Sequence, residues 1–283
     1  MNGRVSQGKQ HRWSNRLPGP HKDIANTMKV FHRDEEIDAL RRRIASRKSF
    51  LLSGPSGVGK TVLLEHLMPE FPEMLYCPQS SSPHAVFRSL AGALVQRGYT
   101  AMLNAKGSRS LAVITAVSLK GIVTRVLTGS KYIVVLDHLN RPSHSMAAAV
   151  RELMIARSIP TIAVARSAHM EDAGFVAPLF PERTDKLTLK NFDLESAESF
   201  VRLLAVERRL VVENFAEFVT RVVEFSDGNP GAIAGMVKMA GMDRYRLGNH
   251  VKLSPLYIDF RLQSLTASSE RIRDVHDSHS HDG

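Results

Sequence analysis

The apolar residues of this chain follow two alternating rhythms. Short, mainly apolar runs lie at 49–52, 73–77, 132–136 and 160–165, and Lys186–Leu189 reads as a fifth strand. Runs of this length without alternation read as strands buried on both faces. Between them, apolar positions recur every three or four residues, as in Ile37, Leu40 and Ile44, or Val86, Phe87, Leu90 and Leu94. That spacing predicts amphipathic helices over about 34–44, 62–68, 84–97, 111–127 and 145–157. Strands alternating with helices indicate a parallel sheet covered by helices. From residue 191 onward the pattern is helical throughout, with helices expected at 195–208, 215–225 and 231–240 and one short element at 252–262. Gly228-Asn229-Pro230-Gly231 punctuates the last two of the three. The expected architecture is an α/β core over 30–190, a small helical lid over 191–264, a flexible basic arm over 1–29 and a polar tail over 265–283.

The first strand runs straight into Gly54-Pro55-Ser56-Gly57-Val58-Gly59-Lys60-Thr61, followed by the helical Val62 and its successors. This fits G-x-x-x-x-G-K-[ST] in its strand–turn–helix setting. Its glycines let successive N–H groups point into one concavity that holds phosphate oxygens. The helix N-terminus adds partial positive charge. Lys60 is expected to reach the β and γ phosphates and the Thr61 hydroxyl to ligate Mg²⁺. Asp137 closes the apolar run 132–136. Strand carboxyl ends share one edge of a parallel sheet, so Asp137 should meet the phosphate loop and hold Mg²⁺ through water. The competing reading is a strand-ending Asp that caps the next turn.

Composition adjusts this picture in three ways. The formal charge is +10, which suits a polyanion such as DNA or RNA and equally suits a soluble surface around a nucleotide pocket. The single cysteine, Cys77, excludes an intramolecular disulfide and favours a reducing, cytoplasmic setting; it sits in an apolar run and reads as a buried strand thiol. No apolar run approaches the roughly 20 residues of a membrane helix, and the basic, polar N-terminus lacks the apolar segment of a signal peptide. Arg41–Arg43 falls at the end of the first expected helix, where its dipole favours cations, so that run has a structural explanation without DNA.

The succession GPSGVGKT, VVLDH, IAVARS and SDGNPGAI resembles the P-loop ATPases of the AAA+ and STAND groups, the origin-recognition and STAND-like branch above all, over about residues 30–240. The resemblance implies a sheet of order 5-1-4-3-2 with a C-terminal helical lid, and ATP with Mg²⁺ as ligands. It implies that the segment containing Phe31 and Arg33 lies beside the adenine. Arg166, with Ser167 beside it, takes the sensor position at the end of the fourth strand, and Pro230 belongs to the G-x-P element that opens a lid helix. Arg183 is placed like an arginine that a neighbouring subunit inserts at the γ-phosphate; it reads as readily as a surface arginine. Two departures stand out. His138 occupies the position where many relatives carry the water-activating glutamate, and Gly231 follows Pro230 where the lid lacks a sensor arginine. Three readings follow: a slow ATP-dependent switch that assembles with itself or a partner protein, a DNA-associated accessory ATPase, and a nucleotide-binding scaffold that does not hydrolyse. Against the second, the residues after 240 are too few for the winged-helix domain usual in origin-recognition relatives.

Overall fold

A computed structural model describes residues 30–78, 80, 82–99 and 115–277, with residues 116 and 266–277 through the backbone alone. The expected arm, most of the loop expected at 98–109, the start of the helix expected from 111 and the last residues of the tail lie outside the described residues.

Helix α1 spans Asp34–Ala45. Strand β1, Phe50–Ser53, leads to α2, Lys60–Leu67, and then to β2, Met74–Cys77. Helices α3, Pro83–Gln96, and α4, Ala116–Leu127, precede β3, Ile133–Leu139. Helix α5, His144–Arg151, widens into a π-helical turn at Glu152–Ala156 before β4, Thr161–Ala165. A short α6, Met170–Ala173, and two 3₁₀ turns lead to β5, Lys186–Thr188.

The five strands form one parallel sheet of order β2-β3-β4-β1-β5, which is the expected 5-1-4-3-2 read from the other edge. Strand side chains alternate faces, so each buried strand serves two cores. Leu51, Val134, Leu136 and Ala163 face α3, α4 and α5. Phe50, Leu52, Val135 and Val164 face α1 and α2. This two-sided burial is why β1 and β4 lack polar alternation, whereas the edge strand β5, Lys-Leu-Thr, is only partly buried. Cys77 is buried in β2 as expected, and burial pushes its thiol up to about 12.

Helices α7, Leu194–Glu207, α8, Phe215–Ser226, and α9, Pro230–Ala240, pack around Phe218, Ile233 and Met236 to form the lid. The C-terminal part differs from expectation. A two-stranded hairpin, β6 Arg246–Leu247 with β7 His250–Val251, comes first. Helix α10 then runs Leu253–Asp277, so the expected polar tail is helical well beyond residue 265. Apolar periodicity fades after 262, but Ala, Glu and Arg sustain a helix without it.

Candidate nucleotide-binding site

Two glycines show why the loop after β1 has its sequence. Gly57 has φ 82° and Gly59 φ 103°, both in the left-handed region that a Cβ disfavours. A Cβ on Gly57 would also lie 2.6 Å from Asn229 Oδ1 of the lid. Pro55 and Ser56 are exposed on the loop, whereas Val58 is buried and anchors it; Val62 is half-buried in the first turn of α2. Lys60 Nζ donates to the carbonyls of Gly54 at 2.5 Å and Pro55 at 2.9 Å, folded back over the loop. Burial lowers its pKa to about 8; Asp137 and Asp172 act to raise it, and Arg166 to lower it.

Asp137 is 1% exposed and fully engaged. Its Oδ2 accepts from the Thr61 hydroxyl at 2.7 Å and from the Tyr76 hydroxyl at 2.7 Å, while Oδ1 accepts the His138 backbone N–H at 2.7 Å. Asp137 therefore meets the phosphate loop, where it bonds Thr61 directly. Tyr76 is the partner that sequence reasoning missed. It lies on β2 opposite Val135 of β3, which brings it within reach of Asp137. Burial, then its bond to Asp137, raises the phenol's pKa well above its ordinary value, so it stays a proton donor. Tyr76→Phe should cost about 1–2 kcal/mol in folding free energy, because a buried carboxylate loses a donor; urea unfolding of the two proteins measures this.

Asp137 does not end its strand. β3 continues to Leu139 through an irregularity between Leu136 and Leu139. Within it His138 adopts φ 57°. Bulges of this kind re-aim a side chain next to a site. Here the His138 side chain is 66% exposed, and its Nε2 lies 3.7 Å from Asp137 Oδ2.

Arg166 follows β4, where its carbonyl accepts the Gly54 N–H at 3.1 Å; its side chain is exposed, with its charge in range of Lys60. Asp172, also within electrostatic range of Lys60, carried no local signal. Arg183 opens the 3₁₀ turn before β5 and is exposed. That turn lies at the amino ends of the strands, so Arg183 does not join the phosphate loop of its own chain.

Phe31 and Arg33 lie where the first helix meets the lid. Buried Arg33 pairs with Glu36 at 2.5 Å, donates to the Lys190 carbonyl at 2.8 Å and lies 4.5 Å over the Phe192 ring. The Phe31 ring stacks on His32 and Phe200 and meets Phe192 edge-on.

Pro230 is the first residue of α9, behind an Asn229 cap that accepts the Ala232 N–H at 3.1 Å. Asn229 Nδ2 donates to the Ser56 carbonyl at 2.9 Å and to Asn191 Oδ1 at 3.1 Å. The Gly231 N–H donates to the Gly57 carbonyl at 2.9 Å. A Cβ on Gly231 would lie 2.9 Å from Gly57 Cα, so close packing on the phosphate loop explains the glycine there. The lid thus docks directly on the phosphate loop. Asn229 was also missed, although an Asn immediately before Pro at a helix start is a capping signal.

Residues 29–164 match the AAA ATPase domain family. Those residues carry the marks of a P-loop AAA+ ATPase domain. The Walker-type ATPase paby2304 of Pyrococcus abyssi superposes on the AAA+ chain with a TM-score of 0.56 at 16% identity, covering 87% of this chain and 76% of that one. The Aeropyrum pernix ORC1 protein, solved in complex with DNA, gives 0.55 at 17% identity, covering 82% and 65%. At these identities the likeness is one of fold. No curated protein matches the sequence. The AAA+ domain is a nucleotide-binding one, and its donor set fits a magnesium nucleotide. The glycine-built concavity and the Lys60 ammonium suit the polyphosphate. Thr61 and Asp137, already 2.7 Å apart through their oxygens, suit Mg²⁺, which would neutralise phosphate charge. Among the described residues, no helix is long and apolar enough to cross a membrane.

Proposed function

We propose that the chain is an ATP-dependent switch with slow turnover, in which the nucleotide's phosphates control docking of a lid (191–264) on a core (30–190). The observation that carries this reading is the contact of Asn229 and Gly231 with the carbonyls of Ser56 and Gly57. Nothing but the backbone of the phosphate loop receives these bonds, so a change in loop geometry on phosphate binding is felt by α9 at once. Lys60, released from the Gly54 and Pro55 carbonyls to pair with phosphate, supplies such a change. The Phe31 ring and the Arg33 clasp, next to the hinge at Lys190–Phe192, form the side of the site suited to adenine. Arg166 is suited to sense the γ-phosphate through the charge it already exerts beside Lys60. In an assembly of copies, the exposed Arg183 is free to serve a neighbour's site. His138 in place of a glutamate supports slow hydrolysis.

Amide hydrogen exchange tests the switch. ATP should change protection at the start of α9 in the wild-type protein. Asn229→Ala should weaken that change while altering nucleotide affinity less than about tenfold, since it removes a cap and one of the two lid contacts but no phosphate ligand. Equal protection with and without ATP in the wild type would overturn the switch.

A DNA-associated role is the second reading. It is favoured by the +10 charge and by the fold shared with an ORC1 protein solved with DNA.

A further inference from the structure

The nucleotide site uses the carboxyl ends of the strands. The amino ends carry a separate feature. Where α1 ends and the chain enters β1, a cavity of about 360 Å³ opens between that connection and the 3₁₀ turn before β5. Its charged lining is Arg42, Arg43 and Lys48 against one acid, Asp185, with the hydroxyl-bearing Ser46, Ser49 and Thr184 between them.

The three consecutive arginines of α1 have different fates. Arg41 is neutralised by Asp38 at 3.1 Å and Glu70 at 2.8 Å. Arg43 donates instead to the carbonyls of Thr184 and Lys186. Those neutral acceptors hold the guanidinium in place without cancelling its charge. Arg42 and Lys48 are exposed and have no acid partner among the described residues. The same device recurs along this edge. Arg47 donates to the Lys131 carbonyl at 2.7 Å, which sets its cation beside exposed Lys131 at the entry to β3. In the order β3-β4-β1-β5, that entry and β5 are three strand spacings apart, roughly 15 Å. Three features oppose an anion here: the Asp185 carboxylate, which accepts the Glu182 N–H, the exposed Glu182 carboxylate of the same capping box, and the carbonyl end of α1. Five cations, Arg42, Arg43, Arg47, Lys48 and Lys131, outnumber them, and backbone carbonyls hold Arg43 and Arg47 in place.

We infer that this edge binds the phosphodiester backbone of duplex DNA, seating one phosphate in the Arg42–Arg43–Lys48 cavity and others along the row towards Lys131. A small anion would fill the cavity alone; a row of cations, two of them held by backbone carbonyls, matches a repeating polyanion. The cavity offers no exposed aromatic ring, since its Phe50 is 1% exposed beneath Arg43, so it lacks the stacking platform that single strands require. Contact with phosphates gives sequence-independent, salt-dependent binding. The inference rests on the DNA-associated reading above and concerns an edge that the nucleotide does not use.

The test is fluorescence anisotropy of a labelled 30-base-pair duplex with the full chain across 50–300 mM salt. The Arg42→Gln/Lys48→Gln double variant should bind at least tenfold more weakly, and its log–log salt slope should fall by about one, for the one phosphate that the cavity seats. Arg43 is left in place because it braces β5. Arg208→Gln/Arg209→Gln removes the same charge from the exposed end of α7 and should cost less than about threefold. Both variants should retain wild-type ATP affinity and melting temperature. Wild-type protein that binds no duplex would overturn the DNA reading and this site together. Duplex affinity unchanged in the Arg42/Lys48 variant, or lowered as much by the α7 variant, would overturn the site alone. Tighter binding of single-stranded DNA or of duplex RNA of equal length would overturn the assignment of duplex DNA as the occupant.

Discussion

Lys60→Ala should weaken ATP binding by roughly 100-fold while leaving the fold intact. The ammonium is half-buried at the mouth of the phosphate loop, where its partners are the Gly54 and Pro55 carbonyls. With a polyphosphate it would exchange these neutral acceptors for charged oxygens, and bonds between ionised partners are each worth about 1.5–3 kcal/mol. Two such bonds lost, less what water recovers, correspond to about 3 kcal/mol. Stability should not suffer, because desolvation already disfavours the Lys60 cation. The same chemistry gives a pH signature. In the free protein the Lys60 pKa is lowered to about 8. Bound phosphate favours the cation and raises that pKa, so binding takes up a proton once the free ammonium begins to titrate. Wild-type affinity should therefore descend above about pH 8, by up to tenfold per pH unit, until the pKa of the complex is reached. The alanine variant has no ammonium and should lack that descent. Isothermal titration calorimetry at pH 7.5, 8.5 and 9.5 measures both effects. Equal ATP affinity in the two proteins would contradict the role of the loop.

His138→Glu should raise the rate of ATP hydrolysis by about tenfold or more. General-base positioning is worth ~10²–10⁴ in rate, and tenfold is a cautious share of it. The residue sits directly after Asp137, in the β3 irregularity, with its side chain exposed and its ring near the Asp137 carboxylate. A neutral imidazole accepts a proton through one nitrogen in one tautomer and brings no negative charge to an attacking water. A carboxylate brings both. The left-handed backbone at φ 57° suits His better than Glu, so the exchange should cost some stability while leaving the fold in place. His138→Gln keeps the approximate shape of Glu without its charge and should not accelerate turnover. Wild-type turnover should lie below about 1 s⁻¹, the low end of ordinary enzymes. Steady-state phosphate release at saturating Mg²⁺ and ATP decides the matter. A folded, ATP-saturated glutamate variant that is slower than wild type would show that the position does not orient the water.

Much of this protein follows from its sequence taken locally. The mainly apolar runs mark strands covered on both faces, because only such strands dispense with a polar side. The phosphate loop is legible because its chemistry is carried by neighbours in the chain: glycines for φ near 80–100°, then a lysine and a hydroxyl on the first turn of a helix. The meeting of Asp137 with the phosphate loop follows once the sheet is parallel, since strand ends then share an edge. The strand order itself came from likeness to a family; apolar spacing does not encode which strands are neighbours. Tertiary structure alone decided the rest. The Tyr76 hydroxyl reaches Asp137 because β2 lies beside β3. Asn229 reaches Ser56 because the lid folds back over the loop, and Arg43 braces β5 because α1 ends above it. The low pKa of Lys60 comes from burial by segments far apart in the chain. Each of these joins residues whose separation in sequence carries no pattern. Burial and hydrogen bonding depend on what folding brings within about 3 Å, a distance that no local spacing specifies.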